Sequence, residues 1–182
     1  HLIFVTVGNM DPFDRLVRAV DAWAAGRSRG EILVQIGSGR YRPEHCRHVD
    51  FLTPNQFRET FAEARFVVSH AGMGTIITAL ELSKPLVVMP KRAALGEQRN
   101  EHQLATVRRF RRSTRIRVAE TEEELHEVLK SLVATSSEPA GVVAAAEEWK
   151  PDPSLIEFVR NFIWQDDGAR CAGNYAIRGA AR

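Results

Sequence analysis

The fold is decided by the stretch Phe66-Val67-Val68-Ser69-His70-Ala71-Gly72-Met73-Gly74-Thr75, where an apolar run ends in a polar turn that contains two glycines. Its first four residues predict a buried strand, and the pattern from the turn through Leu82 predicts a helix. Two neighbouring parallel strands need such a crossover, because the chain must return to the end of the sheet where the first strand began. The stretch therefore predicts one strand–turn–helix unit of an α/β domain.

Strand-like and helix-like segments alternate on both sides of this unit. The other predicted strands are Leu2–Val7, Ile32–Ile36, Val49–Leu52, Leu86–Met89 and Arg115–Val118. The other predicted helices start at Asp11-Pro12, Thr53-Pro54, Asn100 and Thr121. Repetition of the unit with short connections and right-handed crossovers predicts a Rossmann-like, doubly wound parallel sheet with helices on both faces.

The length of the chain predicts a single main domain. Its 182 residues, 44% of them hydrophobic, suffice for one core and are too few for most two-domain enzymes. We expect this domain to span residues 1–134, followed by a linker over 135–152, a C-terminal helix over 153–165 and a flexible tail over 166–182. That helix either packs on its own sheet or docks a partner chain. Since neither a long apolar run nor a signal peptide is recognisable, we expect a cytoplasmic protein.

The charge pattern is mildly basic and uneven. A net charge of +2 does not indicate a nucleic-acid partner. Arginines nevertheless crowd one short segment, at Arg108, Arg109, Arg111, Arg112, Arg115 and Arg117. They form either a solvated surface or a site for anionic lipid headgroups or for the diphosphate of a lipid-linked acceptor. The segment His45-Cys46-Arg47-His48 offers too few ligands for a structural zinc site, so we expect no metal.

The predicted topology points to a ligand site before any motif is compared. In the usual strand order the first and fourth strands are neighbours, so the turns Gly8-Asn9-Met10 and His70 to Thr75 face one crevice. A helix N-terminus attracts phosphate, and Gly72 and Gly74 let the backbone approach a diphosphate closely. The turn lacks the lysine of a P-loop and the spaced glycines of a dinucleotide site. Alternatively, the glycines only tighten the turn.

Several ordered motifs resemble a known family. They are Phe4 to Gly8 with Pro12 to Val17, Ser69 to Thr75, Leu82 to Pro90, and Asn100-Glu101-His102-Gln103. Over residues 2–134 the chain is similar to the donor-binding C-terminal domain of glycosyltransferase family 28. It most resembles the small single-domain subunits of two-component UDP-sugar transferases, which act in dolichol-linked chitobiose and exopolysaccharide synthesis. The resemblance implies that the chain is one half of a GT-B fold.

The resemblance also implies roles for individual residues. The nucleotide diphosphate is expected at the crevice turns, at Gly8, His70, Ala71, Gly72, Met73, Gly74 and Thr75. The donor sugar is expected at Asn100, His102 and Gln103, and the uracil near the backbone of Phe51 to Thr53. The family usually carries a ribose-binding glutamate where this chain has Thr78, and Glu81, on roughly the same helix face, is a possible substitute.

The expected function is that of a donor-binding subunit. It would bind a UDP-sugar and pass the sugar to a lipid-linked or polysaccharide acceptor held by a membrane-anchored partner subunit, at the cytoplasmic face of the membrane. The family implies no metal and no cofactor, because the helix dipole and side chains stabilise the leaving diphosphate. Lys91, Arg92 and Arg99 either meet a phosphate or a uronate carboxylate, or lie in a solvated loop. No residue is recognisable as the general base.

Two other functions remain open at this point. Thr78 in place of glutamate keeps a non-catalytic nucleotide-sugar-binding sensor or scaffold in consideration. A sugar-nucleotide epimerase would share the fold, but the short chain argues against it because such enzymes normally carry two domains.

Overall fold

A computed structural model describes residues 2–111, 113 and 115–134. They form a six-stranded sheet in which every neighbouring pair is parallel, in the order β3-β2-β1-β4-β5-β6. The strands are β1 (Ile3–Thr6), β2 (Ile32–Gln35), β3 (Arg47–Val49), β4 (Phe66–His70), β5 (Leu86–Met89) and β6 (Ile116–Val118). The predicted α/β, doubly wound parallel sheet is confirmed.

Helices cover both faces of this sheet. They are α1 (Asp14–Ala24), α2 (Pro54–Glu63), α3 (Met73–Glu81), α4 (His102–Phe110) and α5 (Glu122–Ala134). Successive strand side chains point to opposite faces, so Val5 belongs to the core that includes α1 and α5, whereas Phe4 stacks edge-on against Phe57 and Phe61 of α2. Two short 3₁₀ helices, Arg29–Glu31 and Ala93–Leu95, were not predicted.

The order of the strands places the site. Strand β1 pairs with β2 on one side and with β4 on the other, with Thr6 opposite Ser69 at the carboxyl end of the second pair. The chain therefore changes direction across the sheet between β1 and β4, and the loops after these strands diverge from a common crevice. The predicted neighbourhood of the first and fourth strands is confirmed.

The third strand differs from its prediction. It was expected at Val49–Leu52, but the strand covers Arg47–Val49 and Phe51 is 54% exposed. β3 is an edge strand and pairs with β2 alone. The last backbone hydrogen bond between the two segments runs from the N–H of Gly37 to the carbonyl of Asp50, and the chain after Asp50 no longer pairs with β2. The backbone N–H of Leu52 then bonds the side chain of Gln35 instead of a strand.

Two helices begin later than expected. Helix α1 starts at Asp14 rather than at Asp11-Pro12, and α4 starts at His102 rather than at Asn100. The predicted linker over 135–152, the C-terminal helix over 153–165, the tail over 166–182 and Arg112 lie outside the described residues. Within the described residues, no helix is both long and apolar enough to cross a lipid bilayer.

Candidate functional site

The His70 turn connects β4 to α3 at the point where the sheet changes direction. His70 ends the strand, Ala71 is buried, and Gly72 is the N-cap of the nine-residue helix α3. No side chain among the described residues caps this helix, so the N–H groups of its first turn point outward without a side-chain acceptor. These N–H groups and the positive end of the helix dipole suit an anionic ligand.

The imidazole of His70 lies between two glycine turns. A Cβ built on Gly8 would lie 2.6 Å from Nε2 of the ring, and one built on Gly72 would overlap Cε1. Gly8 also has a φ of +81°, a left-handed conformation that favours glycine. Both glycines are thus needed to admit the ring. By contrast, a Cβ on Gly74 would meet no described atom within 4 Å.

Gln103 is buried beneath the turn and joins the ends of two strands. Its Oε1 accepts 3.0 Å hydrogen bonds from the backbone N–H groups of Ala71, after β4, and of Lys91, after β5. Its Nε2 lies 3.3 Å from Nδ1 of His70. Gln103 is only 5% exposed, so the structure places it as an internal support of the turn. Its expected contact with a donor sugar stays a prediction.

The environment of His70 favours the neutral ring. Burial, and secondarily the positive charge of Lys91, lower the pKa of His70 from 6.5 to about 4. At neutral pH the ring therefore carries one proton and offers one N–H donor and one acceptor nitrogen.

Lys91 is bound inside the protein rather than presented to solvent. It is 3% exposed, and its ammonium donates a 2.5 Å hydrogen bond to the carbonyl oxygen of Asp11. Burial lowers the pKa of Lys91, while the carboxylates of Asp11 and Glu97 act in the opposite direction. Its charge still lies near the crevice, where it would favour an anion.

The loop from Pro90 to Glu97 is held by charged contacts. Arg15 of α1 donates to Glu97 at 2.8 Å and 3.0 Å and to the carbonyl of Pro90 at 2.9 Å. Glu97 also accepts from the backbone N–H of Arg92, whose guanidinium donates to the carbonyl of Glu120. Arg99 is exposed on the same segment. The loop is therefore held in place by these contacts, and of Lys91, Arg92 and Arg99 only Arg99 is exposed.

A second buried amide links the turn after β1 to the segment expected to hold the uracil. Gln35 is 1% exposed; its Nε2 donates to Oδ1 of Asn9 and its Oε1 accepts from the N–H of Leu52, both at 3.3 Å. Phe51 and Met10 expose their side chains at this edge of the sheet, by 54% and 86%. The edge thus combines fixed backbone with exposed apolar surface.

The predicted site residues fall into two groups. Gly8, His70, Ala71, Gly72 and Gln103 lie in one cluster, with Met73, Gly74 and Thr75 in the adjoining first turn of α3. Asn100 and His102 are exposed at the start of α4, where Oδ1 of Asn100 contacts both the backbone N–H and Nδ1 of His102.

The two candidates for ribose binding lie further along α3. The hydroxyl of Thr78 donates 2.9 Å to the carbonyl of Gly74 in its own helix. Glu81 is exposed at the last residue of α3, six residues beyond Thr75 and therefore about 9 Å further along the axis. The structure does not bring Glu81 to the His70 turn.

Three supporting residues escaped the sequence interpretation. Gln35, Asp11 and Glu97 fix the loops around the site through contacts made with distant parts of the chain. A lone glutamine within an apolar strand was the one local signal, because a buried amide needs hydrogen-bond partners.

In the arginine-rich segment, Arg111 pairs with Glu120 and Arg117 donates to Ser131, so two of its members already have partners on the protein.

The comparisons with known proteins identify the family of the chain. The model of the glycosyltransferase family 28 C-terminal domain matches residues 2–156. The UDP-N-acetylglucosamine transferase subunit ALG13 of Homo sapiens is 33% identical over an alignment of 114 residues, and the match covers 56% of this chain and 9% of that protein. Its Mus musculus counterpart is 35% identical over an alignment of 96 residues, and the match covers 47% of this chain and 8% of that one. The chain thus spans less than a tenth of these relatives.

Two solved structures are similar to this chain. The crystal structure of the glycotransferase of kitacinnamycin has a TM-score of 0.50 at 15% identity, and the match covers 92% of this chain and 40% of that one. The solution structure of ALG13 has a TM-score of 0.49 at 21% identity, covering 87% and 93%. The first likeness confirms a Rossmann-like half of a GT-B architecture. The sequence match to the family model covers most of the chain, which therefore belongs to the glycosyltransferase family 28 C-terminal domain family.

Proposed function

We propose that this chain is the donor-binding component of a two-component glycosyltransferase. It binds a UDP-sugar at the His70 turn and presents the sugar to a lipid-linked or polysaccharide acceptor held by a membrane-anchored partner chain. The observation that carries the proposal is the uncapped start of α3, which lies beside the neutral His70 ring at the crevice between β1 and β4. The family, and the mammalian relatives that are named as subunits of a UDP-N-acetylglucosamine transferase, support a UDP-sugar as the donor.

The turn would act chiefly on the leaving group. In a direct displacement, the acceptor oxygen forms a bond to the anomeric carbon of the sugar while the bond to the diphosphate breaks, so that negative charge grows on the departing UDP. The N–H groups of Met73, Gly74 and Thr75 are fixed donors that need no rearrangement to meet this charge. The acceptor proton goes to a base that we assign to the partner chain.

The uracil, the sugar and the ribose of the donor would lie along the loops at the carboxyl end of the strands. The uracil would lie along the backbone of Phe51 to Thr53, which Gln35 holds close to the turn after β1. The sugar would extend toward Asn100, His102 and Gln103, and Thr78 or Glu81 would meet the ribose. Residues 1–134 would form the nucleotide-sugar-binding domain. We place the complex at the cytoplasmic face of the membrane.

A reconstitution assay tests this function. Membranes from cells that lack this chain supply the partner, and lipid extracted from those membranes is added to every sample as the acceptor. Transfer of labelled sugar from UDP-N-acetylglucosamine is then measured with the chain alone, the membranes alone and both together. We expect transfer only in the combined sample, and none when His70→Gln protein replaces the natural chain. Transfer by the chain alone would contradict the two-component proposal.

One observation favours a second candidate, a nucleotide-sugar sensor without catalysis. Thr78 stands where the family usually has a glutamate, and its hydroxyl is already bonded to Gly74. A thermal-shift panel with UDP-, GDP- and TDP-sugars separates the outcomes. Stabilisation by a UDP-sugar without transfer in the combined sample would favour the sensor, and no stabilisation by any nucleotide would contradict both functions.

A further inference from the structure

We propose that Gln103 is a positioning residue that holds His70 as its neutral Nε2–H tautomer, with the proton on the ring edge that faces Gly8. The inference goes beyond the sugar contact expected of Gln103. Its bearing on nucleotide binding rests on the proposed function, but the state of the ring does not.

The orientation of the Gln103 amide is fixed by the backbone. Two N–H groups, of Ala71 and Lys91, point at the same side-chain atom at 3.0 Å, and only the carbonyl oxygen can accept from both. The reverse orientation would place an NH₂ group against two N–H donors in a buried site, where unmet polar groups cost free energy. The other end of the amide, which faces His70, must therefore be the NH₂ group.

The orientation of the amide dictates the tautomer of His70. An NH₂ group can only donate, so Nδ1 of the ring, 3.3 Å away, must be the acceptor and cannot carry a proton. The single proton of the neutral ring is then on Nε2. This atom is the one nearest to the position that a Cβ on Gly8 would take, at 2.6 Å.

The charges around the ring act in the same direction. A doubly protonated ring would set an N–H of Nδ1 against the NH₂ group of Gln103, and Lys91 adds a positive charge nearby. The carboxylates of Asp11 and Glu97 in turn favour the charged form of Lys91, because they raise its pKa against the effect of burial. Burial is the largest cause of the lowered pKa of His70. The turn consequently offers a neutral N–H donor throughout the physiological pH range.

This arrangement has a consequence for the ligand. Both phosphates of a UDP-sugar are esterified, so their charge does not change between pH 5.5 and pH 8. With a neutral His70 over the same range, the contribution of the ring to affinity is constant. Gln103 thus separates donor binding from small changes in pH, although it touches the ring and not the diphosphate.

Nitrogen NMR of histidine-labelled protein without nucleotide tests the proposal directly. The chain has six histidines, so the His70→Gln variant identifies the resonances of the His70 ring. We expect a ring with a proton on Nε2 and none on Nδ1, unchanged from pH 8 down to pH 5.5. A ring protonated on Nδ1, or one that titrates near the ordinary value of about 6.5, would overturn the proposal.

Substitution of Gln103 supplies a readout that loss of packing alone would not give. In Gln103→Glu one carboxylate oxygen can accept from the two backbone N–H groups, while the other requires a proton on Nδ1 of His70. We expect the proton to move to Nδ1 and the pKa of His70 to rise, so that affinity for UDP-N-acetylglucosamine becomes pH-dependent between pH 5.5 and pH 8. An unchanged tautomer in folded Gln103→Glu protein would contradict the positioning role.

A matched substitution controls for the added charge. Gln56→Glu adds the same charge on the exposed first turn of α2. There a glutamate can accept from the N–H of Thr53 as Gln56 does. We expect Gln56→Glu to leave the His70 resonances as in the natural chain. If Gln103→Glu does not fold, the measurement on the natural chain still decides the tautomer. If the tautomer is as expected but no UDP-sugar binds, the proposed function fails and the inference about Gln103 stands.

Discussion

Helices α2 and α3 both follow a turn at the carboxyl edge of the sheet, but their N-termini differ in the way their N–H groups are satisfied. At α2, Thr53 accepts from the N–H of Gln56 at 3.3 Å, and the side chain of Gln56 accepts from the N–H of Thr53 at 3.0 Å. Pro54 at the first helical position has no N–H to satisfy. At α3 the N-cap is Gly72, and none of the described side chains bonds the first turn.

This difference separates a stabilised helix from a binding position. A capping box lowers the free energy of the folded state with groups from the helix itself. Helix α3 forgoes that contribution, because a side chain at position 72 would collide with the His70 ring. The N–H groups of the first turn of α3 are therefore available to an anionic ligand, at the cost of the stabilisation that a capping side chain would provide.

Gly72→Ala should have the largest effect on both stability and binding. The added Cβ overlaps Cε1 of His70, and forcing an atom into such a packed position costs about 1–3 kcal/mol. We expect a lower free energy of unfolding in urea and a weaker affinity for UDP-N-acetylglucosamine by calorimetry, because the His70 ring and the first turn of α3 can no longer both keep their positions. Gly74→Ala is the matched control for the unfolding measurement, since its Cβ meets no described atom.

Thr53→Ala should weaken the capped helix. Removing an N-cap side chain costs about 0.5–2 kcal/mol, and here the hydroxyl that donates to Oε1 of Gln56 is lost as well. Urea unfolding measures the loss. Thr53→Ser keeps the hydroxyl and should restore most of the stability; equal stability of the alanine variant and the natural chain would show that the capping box contributes nothing.

Stability should decrease when the pH falls below the ordinary pKa of histidine. The pKa of His70 is lowered from 6.5 to about 4 in the folded chain, so between these values the unfolded chain binds the extra proton and the folded chain does not. The contribution of His70 is therefore complete above pH 6.5 and is lost as the pH falls toward 4. Urea unfolding from pH 7 to pH 5 should show a smaller decrease for His70→Gln. Parallel curves for the two proteins would contradict the lowered pKa.

Gly74→Ala should have a small effect on stability and a selective effect on binding. Alanine is a better helix former than glycine by up to about 1 kcal/mol, and its Cβ has open space here. The same Cβ would stand between a diphosphate and the backbone of the turn. We expect a melting temperature equal to or above that of the natural chain and a weaker affinity for the UDP-sugar. Unchanged affinity would show that the diphosphate does not approach Gly74.

The sequence predicts the features that depend on local pattern, and these include most of the fold. Apolar runs, glycine turns and capping residues are written along the chain, so five of the six strands lie where they were expected. The exception, β3, is an edge strand whose three residues carry little apolar signal and whose end is set by pairing with β2. Order in the sheet followed from the general rule for doubly wound topologies.

The candidate site was predictable in position but not in its internal contacts. The His70 turn and its glycines are contiguous in sequence, whereas Gln103 reaches the turn from 33 residues away and Lys91 bonds Asp11 across 80. No periodicity encodes such contacts, since they depend on how α4 and the loop after β5 pack. Gly72 illustrates the limit well: it was predicted to give access to a diphosphate, and the structure shows that it also makes room for His70.

We propose that the diphosphate binds at the His70 turn, and not along Phe51 to Thr53 or at the N-terminus of α2. Backbone amide NMR of the whole chain with UDP and with uridine tests it most directly, because the two ligands differ only in the diphosphate. We predict that both shift the amides of Phe51 to Thr53, and that UDP alone shifts those of Gly72 to Thr75. No shift at Gly72 to Thr75 with UDP, or an equal shift with uridine, would contradict the claim.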